Sequence, residues 1–227
     1  MVNRTGRAKN TFPWLRIIIH IIGWLPLVML ILDFAAHKLT ANPIQAIEQR
    51  LGRTALYFLI ASLSVTPTYI VTGWREILPR RRALGMYAFL YASLHFLTFA
   101  GLDYGFNFQQ IFDLITTKPF IIAGTLAFIL LIPLAVTSFN FFIRCMKRNW
   151  KRLHWLVYPT GLIVIIHFVW ARKGDLLHLQ GNILQPLVFG LLLFILLILR
   201  IPLIRRSVSG WRQKIRGRML ARKRARE

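Results

Sequence analysis

The sequence is poor in acid and nearly without thiol: seven Asp and Glu stand against 30 Lys and Arg, and Cys145 is its single cysteine. A lone cysteine excludes a disulfide framework and any CxxC redox pair. Neither a GxGxxG nor a Walker-type glycine loop occurs, and no polar stretch is long enough for a nucleotide-binding fold. A dinucleotide-using module must therefore come from another protein. No internal repeat, low-complexity block or second domain is visible. Carboxylates are scarce in the apolar segments too. Asp33, at the end of the first, is the only one near a segment, which counts against a small transporter relaying protons.

What the chain has in quantity is apolar length. Hydrophobic residues make up 56% of the 227, and the mean hydropathy is +0.54. Apolar runs of about 20 residues match a hydrocarbon core of about 30 Å. Six recur, near 13–34, 54–73, 83–101, 119–137, 153–171 and 183–203. The first has no small-residue cleavage site behind it and reads as a helix rather than a signal peptide. The expected fold is an all-α membrane protein of six transmembrane helices. A tail over 1–12 and a basic tail over 204–227 flank the helical domain at 13–203.

A net charge of +23 would point to nucleic acid in a soluble protein. Its placement argues otherwise. With both termini cytoplasmic, 24 of the 30 basic residues fall inside, among them Arg75, Arg80, Arg81, Arg82, Arg144, Lys147, Arg148, Lys151, Arg152 and eleven from Arg200 onward. Only Lys38, Arg50, Arg53, Lys118, Arg172 and Lys173 remain outside. This asymmetry is the positive-inside signature of an even number of spans. Trp14, Trp74, Trp150 and Trp155 near the inner boundary, and Trp170 near the outer one, fit an aromatic belt. The stretch Arg205–Arg226 suits anionic lipid or an acidic cytoplasmic partner.

Three of the histidines in these segments stand out: His95, His154 and His167. An ionisable group at membrane depth is costly and faces the bundle interior for a reason. Neutral imidazole is the usual nitrogen ligand of iron, and bis-histidine haem needs two rings from facing helices. Entering from the inside, His95 lies about 18 Å along the third span and His167 about 21 Å along the fifth, so the two match in depth. His154 lies near the inner boundary, about 19.5 Å from His167, a separation that admits two cofactor positions. On a straight helix, however, the rings of His154 and His167 point about 140° apart. The fifth helix is bent or bulged, or His154 points elsewhere. His20, one turn beyond Arg16, is expected as a hydrogen-bonding residue of the bundle or a propionate contact. Arg53 suits a propionate, a partner or the membrane interface, while His37 and His178 belong to outer loops.

The run GRTALYFLIASLSVTPTYIVTGWREILPRRRALGMYAFLYASLHFLTFA at 52–100 resembles the haem-binding membrane subunits of periplasmic methionine sulfoxide reductase systems, the MsrQ (YedZ) family. HIIGWLPL, NPIQAIEQRLGRTAL, ITTKPFIIAG and KRLHWLVYPTGLIVIIHFVW extend the likeness over nearly the whole chain except its tails. Ferric reductase and NADPH oxidase transmembrane domains are the wider relatives. The resemblance implies a multi-pass protein of a bacterial inner membrane, with one or two haem b groups and a flavin mononucleotide. It also implies electron delivery to a periplasmic molybdopterin-containing methionine sulfoxide reductase subunit, for repair of oxidised methionine. The donor would be the quinone pool or a cytoplasmic flavin reductase, and substrate reduction would fall to the partner. The family's haem histidines map onto His95, His167 and His154. The wider pattern has a second histidine on the third span, near residue 81 or 82, and both positions here are arginine. Arginine does not ligate iron but suits a phosphate, so Arg81 and Arg82 are candidate holders of the flavin phosphate. The rivals are a stand-alone quinol-linked cytochrome b or ferric reductase, and the proton-coupled transporter.

Overall fold

The computed structural model describes residues 13–172 and 184–201, with Ile204, Val208, Gly210 and Trp211. The described residues form helices without any strand. These are α1 (Pro13–Ala35), α2 (Pro43–Thr72), α3 (Arg80–Leu97), α4 (Phe108–Thr117), α5 (Pro119–Val136), α6 (Asn140–Met146), α7 (Arg148–Leu153), α8 (Val157–Ala171) and α9 (Leu184–Ile198). A π-helical turn, Thr98–Asp103, extends α3, and a 3-10 turn, His154–Leu156, joins α7 to α8.

Five segments are long and apolar enough to cross a membrane: Trp14–Ala35, Pro43–Thr72, Arg75–Asp103, Pro119–Val136 and Arg148–Ala171. Where the sixth span is expected, the described residues form the apolar helix α9, which is shorter than these five. Its expected start and end, like His178 and most of the basic tail, lie outside the described residues.

Local chemistry sets the boundaries. Helix α2 begins eleven residues ahead of the expected 54, because Asn42 accepts a hydrogen bond from the Gln45 amide (3.1 Å) and Pro43 occupies the first turn. It ends at Gly73, whose φ of 78° suits a residue without Cβ. Between the third and fourth spans, Asn107 caps the short α4 by accepting from Gln110 (3.1 Å), an element the hydropathy pattern did not indicate.

The most extensive pairings are α2 with α3 and α5 with α8, and these two hairpins face each other across α3 and α5. Leu56, Phe58, Leu59, Leu63, Tyr91, Leu131 and Leu193 lie in the core. Helix α1 packs lightly on α3 and leaves Ile17, Ile21, Val28, Ile31 and Leu32 exposed, a face suited to lipid. It is held by polar contacts. Tyr91 is fully buried, and its hydroxyl donates to Gly23 O (2.7 Å) and accepts from Leu27 N (3.2 Å), beside the helix-interrupting Pro26. His20 Nδ1 meets the Tyr87 hydroxyl at 2.8 Å, which makes it a bundle hydrogen-bonding residue. Asp33 pairs with Arg50, tying α1 to α2.

Candidate cofactor site

A cavity of about 420 Å³ opens between the two hairpins, within the range of small-molecule and cofactor sites. His95 from α3 and His167 from α8 both line it, their ring centroids 6.2 Å apart and their planes at 70°. The depth-matched pair is thus brought together. Each ring has one nitrogen committed. His95 Nδ1 meets Glu48 O at 2.9 Å, and His167 Nδ1 meets Phe120 O at 2.7 Å. A carbonyl only accepts, so Nδ1 carries the proton in both, and Nε2 keeps its lone pair.

That arrangement passes a test of fit. A metal lies about 2 Å from an imidazole nitrogen, which itself lies about 1 Å from its ring centre, so a bridged pair needs roughly 6 Å between centroids. The backbone carbonyls are the outer-shell acceptors that metal-bound histidines require. Among the described residues, no three His, Cys, Asp or Glu converge as a free-standing metal site. A metal here would take two protein ligands and its remaining ones from a macrocycle, the bis-histidine haem arrangement.

The two half-sites are copies of one another. In both, the histidine bonds a carbonyl 47 residues earlier. One helical turn after that carbonyl comes a glycine against the ring. A Cβ on Gly52 would lie 3.2 Å from His95, and one on Gly124 would lie 2.8 Å from His167. At one constant offset along the chain, Gly52 and Gly124, Ala55 and Ala127, Leu59 and Leu131, His95 and His167, and Phe96 and Phe168 all line the cavity as like pairs. The chain therefore does contain a repeat, of helical hairpins. It escapes inspection of the sequence because few positions share residue types at that offset. Phe128 stacks on Phe96 (4.9 Å) and Phe89 (6.0 Å), locking one hairpin to the other.

Charged groups gather at the mouth. Arg53, Lys118 and Arg172 line it together with Glu48 and Asp103. Arg53 lies in the third turn of α2 rather than ahead of it, and its Nε donates to Gln49 O (3.3 Å). Glu48 and Asp103 lie near enough to repel, so Asp33 is not the only carboxylate that matters. Beside them, burial raises the Tyr104 phenol above its ordinary pKa, with Asp103 and then Glu48 adding to the shift. The helical start at Asn42–Pro43 was the signal that would have placed Glu48 on a spanning helix.

His154 does not line this cavity. It sits in the 3-10 turn that breaks the fifth span, with its ring 4.1 Å from that of Trp150 and Nε2 3.3 Å from Thr137 Oγ1. Thr137 donates its own hydroxyl hydrogen to Pro133 O (2.6 Å), so it accepts from His154, and the proton sits on Nε2. Of the alternatives left open for the fifth span, the structure shows a 3-10 turn at His154–Leu156 and a His154 that lies apart from the cavity lined by His167. Arg81 and Arg82 also part company. Arg82 is exposed and donates to Asn140 Oδ1 (2.6 Å). Arg81 is half-buried, within electrostatic reach of His154, Arg200 and Tyr158.

The family described as "Ferric reductase like transmembrane component" matches over residues 51–166. The chain is 39% identical over 197 residues to the protein-methionine-sulfoxide reductase heme-binding subunit MsrQ of Rhodospirillum rubrum, covering 86% of this chain and 91% of that one. It is 45% identical over 138 residues to the subunit of the same name from Xanthomonas euvesicatoria pv. vesicatoria, covering 61% of this chain and 63% of that one. Its identity to the Xanthomonas campestris pv. campestris subunit is 44% over the same length. No solved structure matches.

Proposed function

Since the chain belongs to the ferric reductase-like transmembrane family and, within it, to the MsrQ haem-binding subunits of protein-methionine-sulfoxide reductases, we propose that it carries electrons across a bacterial inner membrane to a periplasmic, molybdopterin-containing methionine sulfoxide reductase. It does so as a six-span bundle with both termini in the cytoplasm. The observation that carries this reading is the facing pair His95 and His167, 6.2 Å apart, each held by a carbonyl through Nδ1.

Haem b bound between them would supply a one-electron couple. The residues of the chain do the rest. Glu48 O and Phe120 O hold each imidazole in the tautomer that presents Nε2, and by accepting from Nδ1 they raise its donor strength. Gly52 and Gly124 let the helices approach the rings. Arg53, Lys118 and Arg172 are the groups suited to the propionates, while Glu48 and Asp103 add negative charge that favours the oxidised state. The aromatic and aliphatic lining keeps water out, so small shifts in nearby charge act strongly on the potential. His154 remains a candidate for a second, inner haem, but would have to release Thr137 before offering Nε2. Flavin mononucleotide belongs at the inner end, its phosphate near Arg81 with Arg82 flanking. Electrons enter there from the quinone pool or a cytoplasmic flavin reductase, and substrate reduction takes place on the periplasmic partner.

A reduced-minus-oxidised spectrum of the purified protein, with haem, flavin and copurifying molybdenum quantified, tests the reading. A Soret band with a molybdenum partner is expected. Haem without such a partner would favour a stand-alone quinol-linked cytochrome b or ferric reductase, and no haem would end the proposal.

A further inference from the structure

At the end of the bundle away from the cavity, Arg200 reaches back from beyond α9 to the other helices. Its Nη2 donates to Leu63 O on α2 (2.6 Å), and its Nη1 donates to the Tyr158 hydroxyl on α8 (3.1 Å). The guanidinium lies over the Tyr158 ring, 5.4 Å from its centre. Its third nitrogen, Nε, is buried and has no hydrogen-bond partner among the described residues. Arg81, in the first turn of α3, approaches the same place and feels the charge of Arg200 and the Tyr158 oxygen. The backbone of Arg81 is pinned by Ser62, whose Oγ donates to Arg81 O (3.0 Å).

With Ser62 bonded to Arg81 and the adjacent Leu63 bonded to Arg200, two guanidinium groups lie within electrostatic reach of each other in partly buried surroundings. The one ion pair among the described residues, Asp33 with Arg50, lies elsewhere. Like charges brought together out of water repel, and a buried donor left unmade costs more than a made one gains. An anion entering between them would remove the repulsion and use the open Nε. A planar fork beside a hydroxyl matches the oxygens of phosphate better than a single carboxylate.

We propose that Arg81, Arg200 and the Tyr158 hydroxyl form a binding site for a phosphate-bearing anion where α2, α3, α8 and α9 meet. The phosphate comes from flavin mononucleotide or from an anionic phospholipid headgroup; the flavin source rests on the electron-carrier reading above, the site itself does not.

The test uses the full-length haem-loaded protein, delipidated, with Arg81→Gln, Arg200→Gln, Arg200→Lys and the exposed Arg144→Gln as a charge-matched control. The Soret band and melting temperature report folding in each. Flavin mononucleotide and riboflavin, which lacks the phosphate, are titrated by flavin fluorescence. Phospholipid retained before delipidation is read by native mass spectrometry. Arg81→Gln and Arg200→Gln should each weaken flavin mononucleotide binding by at least roughly tenfold, the size of one charge-assisted hydrogen bond, and leave riboflavin unchanged. Arg200→Lys should recover part of the loss. If both flavins bind alike but Arg200→Gln sheds anionic phospholipid that Arg144→Gln keeps, the phosphate site stands with lipid in it. If neither flavin nor lipid responds more than in the control, the proposal is overturned. Absence of haem from the wild-type protein would instead remove the electron-carrier reading, whatever the arginines do.

Discussion

At one end of the bundle, His95 and His167 commit Nδ1 to helix carbonyls and turn Nε2 toward a shared cavity. At the other, His154 commits Nε2 to a threonine hydroxyl and packs its ring on Trp150. Residue type is the same at both ends. What differs is the acceptor each histidine meets, and that acceptor decides which nitrogen stays open. The first end is also built twice over, from two hairpins that repeat carbonyl, glycine and histidine at matching intervals. The second is asymmetric, with arginine where a symmetric bundle would need another histidine. Ligand geometry thus comes from duplicated helix packing at one end, and anion-binding chemistry from unduplicated side chains at the other.

The sharpest way to break this contrast is to remove the histidines. His95→Ala or His167→Ala should each remove the facing pair's haem and its share of the Soret band, whereas His154→Ala should leave that share in place; equal losses at all three positions would erase the distinction. Next come the glycines. Gly124→Ala forces a methyl to 2.8 Å from His167, and Gly52→Ala places one at 3.2 Å from His95. Overpacking of this kind costs about 1–3 kcal/mol. Both should lower the melting temperature and perturb the Soret line, Gly124→Ala more than Gly52→Ala, and the reverse order would contradict the packing at the two half-sites.

Thr137→Val takes away the acceptor of His154. A cost of about 1 kcal/mol is expected for the lost hydrogen bond, read as a small fall in melting temperature with the Soret spectrum unmoved. A change in that spectrum would mean that the two ends communicate. The smallest effect belongs to Asp33→Asn, which breaks the α1–α2 ion pair. Both partners are about one-third exposed, 39% and 34%, so at most about 1 kcal/mol is at stake, with haem content unchanged.

Much of this was legible in one dimension. Apolar run lengths placed the fourth segment, expected at 119–137, within one residue of the helix Pro119–Val136. Depth along two helices selected His95 and His167 without reference to packing. The early start of α2 was legible as well, in Asn42 and Pro43, but hydropathy alone overlooked it because the first turns are amphipathic. The hairpin repeat was written at few positions, among them the five like pairs that face the cavity. Those positions are too few and too widely spaced to stand out among lipid-facing residues that any apolar side chain can fill.

The sequence by itself determined where the long apolar segments run, the ends of the first and fourth, and which imidazoles share a depth, because these follow from hydrophobic length and helical rise. Tertiary structure decided which nitrogen each histidine offers, that Glu48 and Asp103 stand at the cavity mouth, and that Arg200 rather than Arg82 turns toward Arg81. Each of those depends on a contact between distant parts of the chain, 47 residues apart for the histidines and 137 for Arg200 with Leu63. Such contacts have no local signature: they exist only once the helices have packed and buried donors and acceptors have met.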